Sequence, residues 1–527
     1  MKNRVLCALF LGLSGVFFAL VASAQQSGQA LLESKCGSCH TRTDDGLERI
    51  KDSRRTPEGW DMNIVRMMLI HGVKVTGEER AALVKYLADT RGLAPAETAD
   101  RRYLLERRSN MVEDQPDETL AVMCARCHTY GRFALQRRTE GEWLKLSHFH
   151  MGQFPTIEYQ NLGRDRNWWE IAKNDVPPLL AQNYPLETQA WSEWQSHAAH
   201  DLSGAWRLTG SQPGRGVYHG AMTFNKSGDD TYSISLNMQY ADGSSVKGSG
   251  SAIVYTGYEV RGSVELDGQT VHQVYALTPD GDSMSGRWYL RDNDVIGGDL
   301  SAVRNDAQAH VLAVQPRYLK TGETAHIAIH GTGLAGNVSF GDGVEIMEIV
   351  AASADTITVK AHVGDGAVPG QRSASVGSVR MDDAFVVYST IDSIRVEPEN
   401  AIARVGGDGP LAPVPAQFDA VAYLNGADGK AGTNDDVRVG VMPATWSVEN
   451  NSEAAAALED TKFAGSIDAS TGLFVAAGAG PNSQRPFSTN NAGDLSVKAV
   501  VTSGGSAFEG SAHLVVTVQR WNDPPLR

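Results

Sequence analysis

The chain has 527 residues, with 47 Lys and Arg against 62 Asp and Glu and a formal net charge of −15. That balance excludes nucleic acid as a partner class, because phosphate recognition runs on clustered cations; it suits a soluble protein with a basic or locally complementary protein partner. With only five cysteines, the chain is not a disulfide-stapled scaffold, and its length leaves room for about three to five domains.

Residues 1–24 are expected to be a signal peptide. Lys2 and Arg4 form a basic start, Val5 to Val21 is apolar, and Ala22-Ser23-Ala24 is a small-residue cleavage site. The competing reading is a retained anchor, since the apolar stretch is marginally long enough to span a bilayer. Cys7 lies too near the start to be a convincing lipid-attachment site. No later segment is apolar enough to cross a membrane.

Residues 25–200 read as helical and contain two runs of the form C-x-x-C-H: Cys36-Gly37-Ser38-Cys39-His40 and Cys124-Ala125-Arg126-Cys127-His128. In an exported chain this spelling predicts covalent attachment of c-type haem. Two thiols one helical turn apart reach the two vinyl groups of one porphyrin, and the next histidine becomes the proximal iron ligand. A zinc site would bring a second Cys or His pair close by around a single ion, whereas these runs lie about 88 residues apart, each with its own histidine. A redox dithiol belongs after a strand in a βαβ unit, and no such pattern surrounds either run. The remaining cysteines, Cys36, Cys39, Cys124 and Cys127, are thereby committed to two haems.

Two tandem cytochrome c modules are expected, at about 25–95 and 96–200. Thr76-Gly77-Glu78-Glu79 caps an amphipathic run, Ala81 to Leu87, which reads as the last helix of the first module. Arg54-Arg55-Thr56-Pro57-Glu58-Gly59-Trp60 is echoed by Arg137-Arg138-Thr139-Glu140-Gly141-Glu142-Trp143, an internal duplication. Seven residues beyond Trp60 stands Met67, and seven beyond Trp143 stands His150. Both types ligate haem iron, so the expected axial pairs are His40/Met67 and His128/His150. Met68 and His71 compete at the first iron, His148 and Met151 at the second. Met67 and Met68 also read as core packing in an amphipathic helix. Arg101, Arg102, Arg107 and Arg108 read as propionate partners or as a solvated basic helix. His197 and His200, beside Trp191 and Trp194, read as haem-edge contacts or surface histidines. Trp168-Trp169 reads as packing around the second haem, or as part of an electron path or subunit contact.

Beyond Asp201 the pattern changes to short alternating segments punctuated by Gly, Asp and Asn, such as Tyr232-Ser233-Ile234-Ser235-Leu236 and Arg287-Trp288-Tyr289-Leu290. Residues 201–305 read as an antiparallel barrel or sandwich. Residues 306–390 and 391–527 each read as an immunoglobulin-like sandwich. His330-Gly331-Thr332-Gly333-Leu334 marks the first, and Ile467-Asp468-Ala469-Ser470-Thr471-Gly472-Leu473-Phe474 the second. Asp428, Asp435 and Asp436 offer loop carboxylates without the full calcium-loop pattern. The fold class expected is multidomain: an all-α dihaem domain followed by three all-β domains. No hydrolase elbow, nucleotide loop or zinc-protease motif is visible.

Two haem modules ahead of three β domains, with Arg-Arg-Thr-Pro-Glu-Gly-Trp after the first haem and Asp-Leu-Ser-Gly-Ala-Trp at 201–206, resemble the α subunit of quinohemoprotein amine dehydrogenase over the whole mature chain. The domain order carries the specificity, since many cytochromes share the haem motifs. The resemblance implies a periplasmic heterotrimer with a propeller β subunit and a small γ subunit. The γ subunit carries a cysteine tryptophylquinone that oxidises primary amines. It further implies that this chain takes up the electrons and passes them to azurin or a soluble cytochrome c, with the substrate-oxidising site on another chain. Two other classes of function remain open at this point: a dihaem peroxidase, which needs one iron with an open or displaceable ligand, and a haem-bearing surface scaffold or adhesion protein whose β domains bind a partner.

Overall fold

The computed structural model describes residues 28–159, 163–197, 199–305, 308–406, 412–488 and 490–518. The expected signal peptide, 1–24, lies outside the described residues. Among those residues, no helix is long and apolar enough to cross a membrane.

In the first module, helix α1 (28–36) runs into the first C-x-x-C-H. A short strand β1 (Ser53–Arg55) precedes α2 (Pro57–His71) and α3 (Gly77–Arg91). Helix α2 starts where the Thr56 hydroxyl accepts from Gly59 N with Pro57 in the first turn, and it stops at Gly72, whose φ of 72° is left-handed. Helix α3 starts with a complete capping box between Thr76 and Glu79. The second module repeats the plan, with β2 (Gln136–Arg138) and then α4 (Glu140–Gln153), capped by Thr139 accepting from Glu142 N. Helices α5 (Trp168–Asn174), α6 (Val176–Asn183) and α7 (Gln189–Trp194) complete it. Each module has its own small core: Leu32, Leu47, Trp60, Leu83 and Leu87 in one, and Leu120, Tyr130, Phe133, Trp143 and Trp168 in the other.

The duplicated segments do more than recur. Strand β1 pairs antiparallel with β2, in the register Ser53↔Arg138, Arg54↔Arg137, Arg55↔Gln136. Alternation along a strand then sends Arg54 and Arg137 to one face and Arg55 and Arg138 to the other. On the first face Glu97 meets Arg54 through two parallel bonds of 2.8 Å and Arg137 Nε at 3.1 Å. It also accepts from Ala94 N and the Thr188 hydroxyl. The side chains of all three are buried. Burial alone would raise the Glu97 pKa, but the Arg54 hydrogen bonds and the two guanidinium charges hold it below the usual carboxylate range.

Eight antiparallel strands then form a closed barrel: β3 (Gly204–Gln212), β4 (Gly216–Gly228), β5 (Thr231–Tyr240), β6 (Ser245–Tyr255), β7 (Glu259–Leu266), β8 (Gln269–Leu277), β9 (Ser283–Leu290) and β10 (Asn293–Arg304). Each strand pairs with the next, and β10 returns to β3. Strand β5 alternates strictly, burying Tyr232, Ile234, Leu236, Met238 and Tyr240. Trp206, Tyr218, Phe224, Tyr275 and Trp288 help fill the interior, so the barrel is a packed core.

The helical domain is fastened to the barrel along one seam. Ala94, Trp191 and Trp194 join the barrel's hydrophobic cluster. Trp194 Nε1 donates to Thr256 O at 2.8 Å, and the Thr98 and Tyr258 hydroxyls lie 3.0 Å apart. The arginines after the first module work here as well: Arg102 pairs with Glu259 at 3.1 Å and Arg108 with Asp299 at 2.6 Å. Arg102 and Arg108 therefore already have carboxylate partners, in the barrel and in the neighbouring Glu106. His197 stacks on Trp194, with ring centroids 4.9 Å apart, and His200 bonds Pro279 O at 2.8 Å.

Two β-sandwich regions follow. In the first, one four-stranded sheet contains Thr324–Thr332 and Thr356–Val363, and the other contains Gly370–Val376 and Val379–Tyr388; Ile327, Ile329, Phe340, Val359 and Phe385 lie between them. The last region packs three small sheets around Phe418, Trp446, Phe474, Leu495 and Leu514.

Candidate functional site

Both C-x-x-C-H runs sit on tight helical turns. In the first, Cys39 N and His40 N donate back to Cys36 O at 3.1 and 3.0 Å, which sets the two thiols one turn apart. In the second, Cys124 lies within a π-helical turn, Ala121–Ala125, a geometry often found at functional positions. None of the four cysteines is joined to another in a disulfide. Cys36 packs at the edge of the cluster that holds Trp60 and Ile64 of α2. Cys124 does the same with Trp143, Leu146 and Met151 of α4. Each motif therefore faces the helix that follows its own module's Arg-Arg strand.

The three histidines of the expected axial pairs share one local arrangement. His40 Nδ1 lies 3.0 Å from Glu48 O, His128 Nδ1 3.0 Å from Thr129 O, and His150 Nδ1 2.8 Å from Leu146 O. A ring whose Nδ1–H donates to a carbonyl keeps its lone pair on Nε2, the arrangement that iron ligation requires. Burial, with the nearby Arg132 and His150 charges adding to it and the Thr129 carbonyl opposing it, pushes the His128 pKa down to about 4, so the ring is neutral. The loop after His128 is pinned by Glu113, which accepts from Tyr130 N at 2.6 Å, Gly131 N at 2.9 Å and the Tyr103 hydroxyl at 2.8 Å.

His128 and His150 lie within electrostatic reach of one another. Of the competitors, His148 is exposed and packs edge-on against Trp169, with centroids 5.0 Å apart. Met151 joins the apolar cluster of Cys124. At the first module, Met67 and Met68 are both half-buried on α2, and His71, its last residue, is exposed. The caps put the two helices in register: Thr56, Trp60 and Met67 stand in α2 as Thr139, Trp143 and His150 stand in α4.

The surroundings suit a flat apolar group with an iron centre. Leu69 and Ile70 end α2 in solvent at 74% and 46% exposure, and Phe154, just past α4, is 54% exposed. Trp143 Nε1 is a buried donor with no partner, although its counterpart Trp60 Nε1 donates to Arg91 O at 2.9 Å. Sequence reasoning missed Glu97 and Glu113, single carboxylates in unremarkable stretches; only the doubled Arg-Arg pairs hinted that a buried acid was needed.

Fold and motifs together define a multidomain haem-binding protein. Four family models match in succession: quinohemoprotein amine dehydrogenase A, alpha subunit, haem binding, over residues 26–191; alpha subunit domain II over 199–305; domain III over 308–389; and domain IV over 394–526. The chain belongs to this family, as the haem-binding alpha subunit of a quinohemoprotein amine dehydrogenase, an oxidoreductase of more than one subunit. No curated protein matches it. Solved structures align only in part. A redesigned β barrel bound to DFHBI is 20% identical and covers 20% of this chain and 96% of its own, at a TM-score of 0.18. Drosophila N-cadherin EC1-3 is 8% identical and covers 46% of this chain and 85% of its own, at a TM-score of 0.21.

Proposed function

We propose that this subunit is a periplasmic dihaem c relay. It would take electrons from a cysteine tryptophylquinone on a small partner subunit, in a heterotrimer with a propeller subunit, and deliver them to azurin or a soluble cytochrome c. The observation that carries the reading is the repeated pairing of a C-x-x-C-H turn with a capped helix bearing Met67 or His150 two turns beyond a buried Trp. Cys36 and Cys39 would hold one haem and Cys124 and Cys127 the other, with His40 and Met67 offered to the first iron and His128 and His150 to the second. Haem iron supplies one-electron chemistry at a potential set by its axial ligands. The chain's own residues do the tuning. Backbone carbonyls of Glu48, Thr129 and Leu146 orient the imidazoles, and Glu113 fixes the loop behind His128. A thioether ligand favours ferrous iron, so the Met67 haem has the higher potential of the two. With all four of those cysteines given to haem, none remains for a cysteine-derived quinone, in keeping with the family's placing the quinone and the substrate-processing base on another chain.

Native mass spectrometry of the purified complex tests the reading together with low-temperature EPR and amine-dependent haem reduction. Two haems on this chain, a signal segment cleaved after Ala24, two distinct low-spin signals and haem reduction on adding a primary amine are expected. A persistent high-spin signal with peroxide turnover would replace the relay by a peroxidase.

A further inference from the structure

The strand pair β1–β2 has two faces with unequal charge balance. Glu97 neutralises Arg54 and Arg137 on one. On the other, the buried guanidinium groups of Arg55 and Arg138 share a neutral acceptor: the side-chain carbonyl of Gln136 takes Arg55 Nη1 at 2.5 Å and Arg138 Nη2 at 2.9 Å. Asn63, with its amide oriented to satisfy its neighbours, accepts from Arg55 Nε at 3.0 Å. Two more arginines adjoin them. Arg66 of α2 lies with its guanidinium carbon 5.1 Å from the Phe149 ring centre, and Met62 Sδ lies 3.2 Å from Arg66 and 3.9 Å from Arg132. Among the described residues, no carboxylate pairs with Arg55, Arg66 or Arg132. The one acid near Arg138, Glu142, stands 4.0 Å away and is taken up by Lys145 at 2.8 Å and Arg49 at 3.4 Å.

Buried charge without a counter-ion is costly, and the opposite face of the same ladder shows that this fold supplies one where it is needed. The cluster also lies against the second C-x-x-C-H site. Arg138 stacks 5.2 Å over Trp143, whose buried Nε1–H lacks an acceptor, and Phe149 precedes His150.

We infer that Arg55, Arg66, Arg132 and Arg138, with the Trp143 indole, form the seat for the carboxylates of the haem bound at Cys124 and Cys127. The guanidinium fork matches a carboxylate through two parallel hydrogen bonds, and a haem's propionates are the carboxylates that arrive with the group at this position. The inference rests on the dihaem reading above. Held this way, the cluster stabilises the ionised carboxylates and sets the potential of the second haem against that of the first.

The test uses the full-length holoprotein with Arg138→Gln, and with Arg132→Gln as the more exposed, structurally milder change. Haem content per chain is measured first; fewer than two haems in the unaltered protein would end both the dihaem reading and this inference. With two haems present, a potentiometric titration should show one of the two waves displaced to lower potential in each variant. Resonance Raman should show the propionate bending band displaced as well, and Arg132→Lys should recover part of both shifts. Unmoved waves in Arg132→Gln at full haem content would overturn the assignment. So would equal displacement of both waves, which would give these arginines only a general field effect.

Discussion

At the scale of single residues the sharpest consequence concerns Glu97. It is the shared counter-ion of two buried arginines, and removing one member of such a group leaves uncompensated charge behind. Glu97→Gln is expected to cost about 3–5 kcal/mol, read as a lowered midpoint in denaturant unfolding. The sign of its pH dependence follows from the depressed folded pKa. Its stabilisation is complete above the unfolded carboxylate value of ~4.3 and fades as pH falls through the lower folded value. Acid titrations of stability should show this component in the unaltered protein and lack it in Glu97→Gln. The histidine at 330 behaves in the opposite chemical sense with the same pH direction. Its ring stacks on His219 of the barrel at 3.7 Å, and burial, with His219 and Arg207 adding to it, pushes its pKa down to about 3. A histidine held neutral binds fewer protons than its unfolded form below ~6.5, so stability declines from about pH 6.5 downward. His330→Phe should flatten that decline between pH 6.5 and 4 while keeping a ring in the stack. Neither residue was legible in the sequence as more than a charge or an imidazole, because their partners lie far off in the chain: Arg54 and Arg137 for one, His219 for the other.

At the scale of elements, local chemistry was readable where it is local. The Thr76–Glu79 capping box and the periodic run behind it mark α3 directly, and the alternation at 232–240 marks β5. The duplication was readable as a repeat, but the repeat's pairing with itself was not. A three-residue strand carries no periodicity to detect, and its register is set by tertiary contacts. The helix caps give a graded prediction. Thr139→Ala removes the hydroxyl that accepts from Glu142 N at 3.3 Å and should cost about 1 kcal/mol. Because that cap starts the helix bearing His150, a change in the low-spin EPR signal of the second haem is expected with it, whereas Thr76→Ala in α3 should cost about as much and leave both signals unchanged.

At the scale of the whole molecule, the order of a helical haem domain and then all-β domains followed from composition and texture alone, since helical and alternating patterns separate cleanly near residue 201. What the texture cannot carry is which surfaces meet. The seam between the helical domain and the barrel is made of side chains distant in sequence, such as Trp194 on Thr256 and Arg287 on the Glu106 carbonyl at 2.9 Å. Because Trp191 and Trp194 belong to the barrel's own core, the two should unfold as one cooperative unit. Thermal scans that follow haem-band and far-ultraviolet circular dichroism should show those transitions coinciding. Trp194→Ala, a large cavity at the seam, should lower both together by about 3–5 kcal/mol of stability. Separated transitions in the unaltered protein would mean that the seam does not couple them.

The ladder between the duplicated segments has one more implication. Arg54 and Arg137 are equivalent positions of the repeat, and they face each other, while each flanking pair exchanges the same two positions in reverse. That is the self-complementary contact of a twofold homodimer, written here within one chain, with a local dyad passing between two arginines. One acid serves both of these arginines at once, since Glu97 pairs with each of them. Glu97, Leu186 O and Thr188 of the second module hold Arg54 of the first, so the two halves are locked at the ladder itself and not only by the linker that joins them.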